Sequence, residues 1–169
     1  MEKDNWFTRN NLPETYEWSE YRNRARVVGD MINSYFKDGL TIVDYGCGKM
    51  TVLEFLKIDY RYIAIDIVSR CEGCIVCDLD DENTPLPDVE SELVICTGVL
   101  GKLDCNNRPR LIDHIKSKSK YLLINEVQNY KICLNRGLEL VESREYSKIR
   151  PEENYTENPH FLYLMKMND

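Results

Sequence analysis

Apolar residues recur along the chain with two different periods, and the alternation of these periods predicts the secondary structure. Between residues 18 and 36, apolar side chains recur every three or four positions, which places them on one face of a helix. The residues of this stripe are Trp18, Tyr21, Ala25, Val28, Ile32 and Tyr35. Ser19 is a suitable N-cap and Gly39 follows the last stripe residue, so a helix is predicted over residues 19–36.

Shorter apolar segments follow and alternate with helical ones. The predicted strands cover residues 40–45, 60–67, 73–77, 92–97 and 121–125, and the predicted helices cover 51–57, 109–117 and 127–135. The central strands are continuously apolar, as in 63–65 and 93–96, which is typical of parallel strands covered on both faces. This alternation predicts an α/β, doubly wound, mostly parallel sheet with helices on both faces.

The last part of the chain shows a different pattern. Residues 138–146 and 161–167 read as two strands joined by a polar connection without helical periodicity. A connection without a helix indicates an antiparallel pair, so we expect the last strand to run against the others. Since no repeat or linker interrupts the chain, an N-terminal arm over 1–18 and a single domain over 19–169 are predicted.

Composition and charge narrow the classes of function. The 169 residues are 43% hydrophobic, as in a globular protein, and 22 basic against 29 acidic residues leave a net charge of −7. Nucleic acid is therefore not the expected partner, because its binding depends on neutralising phosphates. With no apolar run of the roughly 18 to 20 residues that a membrane span needs and no secretion signal, we expect a cytoplasmic protein.

Two glycines after the first strand form the first chemical motif, Asp44-x-Gly46-x-Gly48. Ligands of open α/β sheets bind beyond the carboxyl ends of the strands, where this turn lies. A carboxylate two residues before the first glycine repels a pyrophosphate but suits a ligand with a positive amine. A dinucleotide-binding turn would also need a glycine where Thr51 stands.

Further polar residues follow the next three strands. Asp66 ends the second strand and is placed to accept both hydroxyls of a ribose. Asp78 ends the third strand and can accept from the amino group of adenine, while Leu79 offers an apolar wall. Thr97 and Gly98 follow the fourth strand, where the substrate of such a sheet would bind.

In their order and spacing, these motifs resemble the class I S-adenosylmethionine-dependent methyltransferases over residues 19–167. The resemblance implies a seven-stranded sheet in the order 3-2-1-4-5-7-6 with the last strand antiparallel. It also implies S-adenosyl-L-methionine as the cofactor and methyl transfer to an oxygen or nitrogen. With little chain left to build a pocket, we expect a small-molecule, sugar-like or carrier-bound acceptor, or a site completed by a second subunit.

The same resemblance implies a set of cofactor-binding residues. Those next to the methionine part are Asp44, Tyr45, Gly46, Cys47 and Gly48; those next to the ribose are Asp66 and Ile67; those next to the adenine are Asp78 and Leu79; Thr97 and Gly98 lie near the methyl donor. In this family the upstream helix often gives a partner to the cofactor's carboxylate, which points to Tyr16 or Arg22.

Two departures from the family pattern leave a second function open. Met50 stands in place of the third motif glycine, and Leu100-Gly101-Lys102 replaces a common Leu-Glu-His after the fourth strand. The alternative is a catalytically inactive, methyltransferase-like binding or scaffold protein. The Asn/Asp-Pro-Pro-aromatic stretch of nucleic-acid amino-methyltransferases is absent, in line with the acidic charge.

Candidates for a general base are few. Of the two histidines, His114 falls inside a predicted helix and is interpreted as structural. His160 begins the reversed last strand, so it lies on the same edge as the parallel strand ends, beneath the connection over 149–159. Glu126 ends the fifth strand beside it. His160 and Glu126 are therefore the predicted catalytic residues.

Seven cysteines raise the question of a metal site. Cys71, Cys74 and Cys77 are spaced by two residues each, but no nearby histidine supplies the fourth ligand that zinc needs. On a strand, Cys74 would point away from the other two. Buried thiols are the favoured interpretation and a metal-binding redox protein is the third alternative, so no metal is predicted.

Overall fold

The computed structural model describes residues 16–146 and 160–168, with side chains from residue 21 onward. In this part of the chain the strands are β1 (Leu40–Tyr45), β2 (Tyr60–Asp66), β3 (Ile75–Val76), β4 (Ser91–Cys96), β5 (Ser119–Asn125), β6 (Glu139–Tyr146) and β7 (His160–Lys166). The helices are α1 (Tyr16–Tyr35), α2 (Asn107–Lys118) and α3 (Val127–Asn135), with short 3-10 helices at Thr51–Phe55 and Leu100–Lys102.

All seven strands belong to one sheet with the order β3-β2-β1-β4-β5-β7-β6. The neighbours from β3 to β5 are parallel, whereas β7 runs antiparallel to both β5 and β6. The predicted doubly wound α/β sheet, its strand order and its reversed last strand are confirmed. The carboxyl ends of the parallel strands therefore share one edge with the start of β7.

Helices cover the sheet on both faces. Val28 and Ile32 of α1 pack on one face against alternate strand residues such as Ile42. The other face carries Val43 and packs against the inner side of α2, including Ile112. Because both faces of the central strands are buried, successive residues are all apolar, which explains the continuous runs in the sequence.

Some element boundaries differ from the prediction. α1 begins at Tyr16, so Ser19 lies inside the helix and is not its N-cap. β3 has only two residues, where a strand over 73–77 was predicted. Gly73 has a φ of 78° and Cys74 closes a turn by donating to the Cys71 carbonyl. This edge strand pairs with β2 alone, so a turn readily replaces its first half.

Two further predictions concern the chain as a whole. Within residues 16–146 and 160–168, no helix combines the length and the apolar character that crossing a membrane requires. The division into an arm over 1–18 and a domain over 19–169 stays a prediction.

Candidate cofactor site

Asp44 ends β1 in an unusual electrostatic environment. Its side chain is only 6% exposed, and the Tyr62 hydroxyl donates to Oδ2 at 2.5 Å. Burial raises the pKa of Asp44 from 3.8 to about 7, against the lowering effect of the Tyr62 hydrogen bond and of the Arg24 charge. Asp66 raises the same pKa further, so the two carboxylates are electrostatic neighbours. Asp44 therefore changes its charge near neutral pH and is sensitive to any cation placed beside it.

The turn after β1 is tied to the end of β2. Backbone N–H groups of Gly46 and Cys47 donate to the Ile65 carbonyl at 2.8 and 3.1 Å. The Gly48 N–H donates to Asp66 Oδ2 at 2.9 Å, and Asp66 is only 2% exposed. The acid predicted to bind a ribose thus also holds the glycine turn in place.

The two glycines of the turn have different surroundings. A Cβ on Gly46 would lie 2.2 Å from Val99 Cγ2, so the Val99 side chain occupies the space above Gly46. In the part of the chain that the structure describes, a Cβ on Gly48 would have no atom nearer than the Gly46 carbonyl oxygen at 4.0 Å. The backbone of Gly48, with a φ of 52°, is therefore open to close approach by a ligand.

Three neighbouring residues that were predicted to bind the cofactor differ in their burial and orientation. Tyr45 is fully buried in the apolar core on the α2 face, so its side chain points away from Asp44. Cys47 is buried within the turn, and burial raises the pKa of its thiol, which keeps it protonated. Ile67 follows β2 and is half-buried. Only the backbone of Tyr45 lies at the strand ends.

Asp78 and Leu79 follow β3, the neighbour of β2. Asp66 is in register with Val76, so Asp78 lies at the same edge of the sheet. Its Oδ1 accepts from the Asp80 N–H at 3.0 Å, which closes a local turn. Leu79 is buried in the core on the α2 face and supports this turn from below.

The arginine that α1 directs toward the strand ends is Arg24. Its guanidinium lies over Gly98, where a Cβ would be 3.0 Å from Nη1, and 5.1 Å above the Tyr21 ring. The predicted Arg22 instead pairs with Glu54 at 2.8 Å and lies over Phe55. The side chain of the other predicted residue, Tyr16, is outside the described residues.

A signal for Arg24 exists in the sequence. Arg24 lies four residues before Val28 and therefore continues the apolar stripe of α1 toward the strand ends. Tyr62, which the sequence reasoning also missed, lies four residues before Asp66 on the same face of β2. For both Arg24 and Tyr62, the signal in the sequence was a polar group on an otherwise apolar face.

A hydrogen-bonded chain of polar groups extends the site from the end of β4 to β6, and a ring contact continues it to β7. The Gly98 N–H donates to Asn125 Oδ1 at 2.7 Å, and Asn125 Nδ2 donates to the Tyr146 hydroxyl at 3.4 Å. The Tyr146 ring lies 5.6 Å from that of His160. Asn125 is 3% exposed and was not predicted, although it directly follows the apolar run 121–124. Thr97 is half-buried directly after β4.

Glu126 has a strained backbone with a φ of 75° and an exposed side chain. Asn129 Nδ2 donates to Oε2 at 3.2 Å, and a Cβ on Gly101 would lie 2.6 Å from the same oxygen. Glu126 follows β5 and His160 begins β7, so both lie at the edge to which they were assigned. The connection over 149–159 is outside the described residues.

The remaining histidine and the cysteine cluster have other surroundings. His114 Nε2 lies 2.9 Å from the Pro87 carbonyl oxygen, in keeping with its structural interpretation. Cys71 and Cys74 form the turn before β3, while Cys77 is buried in the core. Among the residues that the structure describes, no three His, Cys, Asp or Glu side chains are arranged to hold a metal ion.

Three solved structures share this fold at low sequence identity. Magnesium protoporphyrin IX methyltransferase from Synechocystis PCC 6803, with bound S-adenosylmethionine, is 14% identical, with a TM-score of 0.67 over 96% of this chain and 90% of that one. The 1,6-didemethyltoxoflavin-N1-methyltransferase of Burkholderia thailandensis, with bound 1,6-didemethyltoxoflavin and S-adenosylhomocysteine, is 12% identical, with a TM-score of 0.66 over 90% and 81%.

The third is a S-adenosylmethionine-dependent methyltransferase from Leishmania major, 14% identical, with a TM-score of 0.66 over 93% of this chain and 79% of that one. No family model and no curated protein sequence matches the chain. Identities this low establish the fold alone. The chain has the fold of the class I S-adenosylmethionine-dependent methyltransferases, to which its motifs show a resemblance.

Proposed function

We propose that this protein is a S-adenosylmethionine-dependent methyltransferase that acts on an oxygen or nitrogen of a small-molecule, sugar-like or carrier-bound acceptor. The observation that carries the proposal is that Asp44 and Asp66 interact electrostatically, and that Asp66 also accepts a hydrogen bond from the open backbone of Gly48. Carboxylates beside an exposed backbone fit a nucleoside that carries positive charge. Two of the solved structures with this fold contain bound S-adenosylmethionine or S-adenosylhomocysteine, which supports the same assignment here.

The residues at the strand ends fit the separate parts of this cofactor. Asp66 retains acceptor capacity for ribose hydroxyls, since an ionised carboxylate has about four lone-pair sites. Asp44 offers a negative charge to the cofactor's ammonium group, and Arg24 offers a positive charge to its carboxylate. Asp78 and Leu79 stay assigned to the adenine.

S-adenosylmethionine supplies, when bound, a methyl group activated by a sulfonium. Because this transfer is already downhill, the chief tasks of the protein are to align the acceptor and to exclude water. Asn125 holds the backbone of Gly98 in place for that alignment. Glu126 or His160 would take the acceptor's proton, since Glu126 follows β5 and His160 begins β7 at the carboxyl edge of the parallel strands.

The second candidate is a methyltransferase-like binding or scaffold protein without catalysis. Two observations favour it: Met50 adopts a left-handed conformation where the family has a glycine, and Val99 fills the space above Gly46. Both features reduce the space for a ligand beside the glycine turn that follows β1. This candidate predicts that the protein does not bind the nucleoside.

Calorimetry with S-adenosylmethionine and S-adenosylhomocysteine separates the two functions. Micromolar binding to the wild type, lost in Asp66→Ala, is expected for the methyltransferase. Asp113→Ala serves as the matched control, because Asp113 is an exposed residue of α2 that pairs with Arg136. If the wild type binds neither compound, the scaffold function replaces the proposal.

Other properties remain expectations. A net charge of −7 disfavours nucleic acid as the acceptor. A cytoplasmic location and a homo-oligomer that completes the acceptor site are likewise predictions.

A further inference from the structure

Arg70 lies in the loop between β2 and β3 with hydrogen-bonding capacity that the protein does not use. Its side chain is only 17% exposed, and Nε lies 3.6 Å from Asp66 Oδ1. Nε and Nη2 are both buried and have no hydrogen-bond partner among the described residues. A distance of 3.6 Å is too long for a hydrogen bond, so the pair is held by charge alone.

A purely structural arginine in this protein is bonded differently. Arg110 is also partly buried, and its Nη1 and Nη2 donate to the carbonyls of Asp81 and Thr84. A guanidinium keeps its charge, and burying its donors without acceptors is unfavourable. The unused donors of Arg70 therefore point to a ligand that brings acceptors to this position.

The neighbouring carboxylate defines the chemistry of that ligand. Asp66 Oδ2 accepts from Gly48 at 2.9 Å. Among the described residues, Oδ1 has only a long contact of 3.4 Å with the Val68 N–H besides the approach of Arg70. A phosphate would be repelled by the carboxylate. A hydroxyl, in contrast, donates its proton to a carboxylate and accepts from a guanidinium at the same time.

We propose that Arg70 is a ribose-binding residue that selects nucleosides with a 2′-hydroxyl. Its free N–H groups donate to the oxygens of the vicinal diol whose protons Asp66 accepts. This inference rests on the proposed function, because it takes the nucleoside from there. Arg70 belongs to the loop between β2 and β3, which contains no helix, and it lies outside the motifs identified in the sequence.

The test compares S-adenosylhomocysteine with its 2′-deoxy analogue by calorimetry, on the wild type and on Arg70→Met. Loss of a hydrogen bond from a charged donor weakens binding about tenfold or more. Arg70→Met should therefore lose about tenfold in affinity for the ribose compound and less than about threefold for the deoxy compound. Arg61→Met, at the exposed start of β2, is the matched control and should change neither affinity.

Thermal unfolding of the ligand-free variants provides the second readout. Arg70→Met leaves the buried carboxylate of Asp66 without its cation, so a lower melting temperature is expected in any case, and the ratio of the two nucleoside affinities decides the role of Arg70. Equal losses for both nucleosides would show a structural role and overturn the inference. Tighter binding of adenosine 2′-phosphate than of adenosine would show a phosphate site instead. If the wild type binds no nucleoside, the proposed function fails and this inference fails with it.

Discussion

The two halves of the sheet's carboxyl edge are built differently. Around β1 and β2, buried acids and an arginine approach each other: burial raises the pKa of Asp44, and two buried nitrogens of Arg70 have no hydrogen-bond partner among the described residues. Around β4, β5 and β7, the buried amide of Asn125 is bonded on both sides, to Gly98 and Tyr146. The first half thus keeps polar capacity for a ligand, whereas in the second half Asn125 is bonded within the protein and Glu126 is exposed beside it.

The largest expected effect concerns Asp44 and the pH dependence of stability. The folded protein keeps Asp44 protonated up to about pH 7, whereas the unfolded chain ionises it near 3.8. Between these values unfolding releases a proton, so stability falls as the pH rises and levels off above 7. This residue alone should lower the free energy of unfolding by roughly 3 kcal/mol between pH 5 and 8.

Asp44→Asn removes this dependence. Urea unfolding should find the variant increasingly more stable than the wild type as the pH rises from 5 to 8. Asp30→Asn, which alters a surface pair with Arg26, is the control and should follow the wild type. Parallel curves for Asp44→Asn and the wild type would show that Asp44 is ionised throughout, contrary to its burial.

In the second half, Asn125→Ala should destabilise the protein without abolishing ligand binding. The change leaves the Gly98 N–H and the Tyr146 hydroxyl without partners, which costs about 2 kcal/mol in the free energy of unfolding. Affinity for S-adenosylhomocysteine should stay within about threefold, because the buried Asn125 is itself assigned to no part of the nucleoside. Asn83→Ala, at an exposed turn, is the control. A large loss of affinity at unchanged stability would reverse the roles of the two halves.

A smaller effect distinguishes the two arginines of α1. Arg24→Met should weaken the binding of S-adenosylhomocysteine about tenfold, because it removes the cation above Gly98. Arg22→Met should change the affinity less than about twofold, since an exposed ion pair such as Arg22 with Glu54 contributes little. Titration calorimetry on both variants measures this. The opposite order of effects would restore Arg22 as the carboxylate partner.

The smallest effect is expected at Met50. Its left-handed backbone costs a non-glycine residue about 1 kcal/mol, so Met50→Gly should raise the free energy of unfolding by up to about that amount. Under the proposed function the affinity for S-adenosylhomocysteine stays within about twofold. If Met50→Gly binds S-adenosylhomocysteine and the wild type does not, Met50 prevents nucleoside binding, and the wild type has the scaffold function.

Much of the fold was predictable from local patterns. Continuous apolar runs mark strands buried on both faces, and the missing helix before the last strand marks its reversal, so the parallel and antiparallel parts of the sheet follow from hydrophobic periodicity. The exact extent of an edge strand does not follow, because β3 has one neighbour and competes with a turn at Gly73. The prediction of Ser19 as the N-cap was wrong, because α1 begins three residues earlier at Tyr16.

Local patterns were enough to predict which acids follow which strands, because strand ends and the alternation of side chains are local properties. The packing of the elements was needed to show that Arg24 rather than Arg22 reaches Gly98, that Tyr62 bonds to Asp44 and that Arg70 lies beside Asp66 with donors that the described residues do not use. These contacts join residues from different elements. Their burial and charge depend on how the helix, the strands and the loops pack, which no single segment of the sequence encodes.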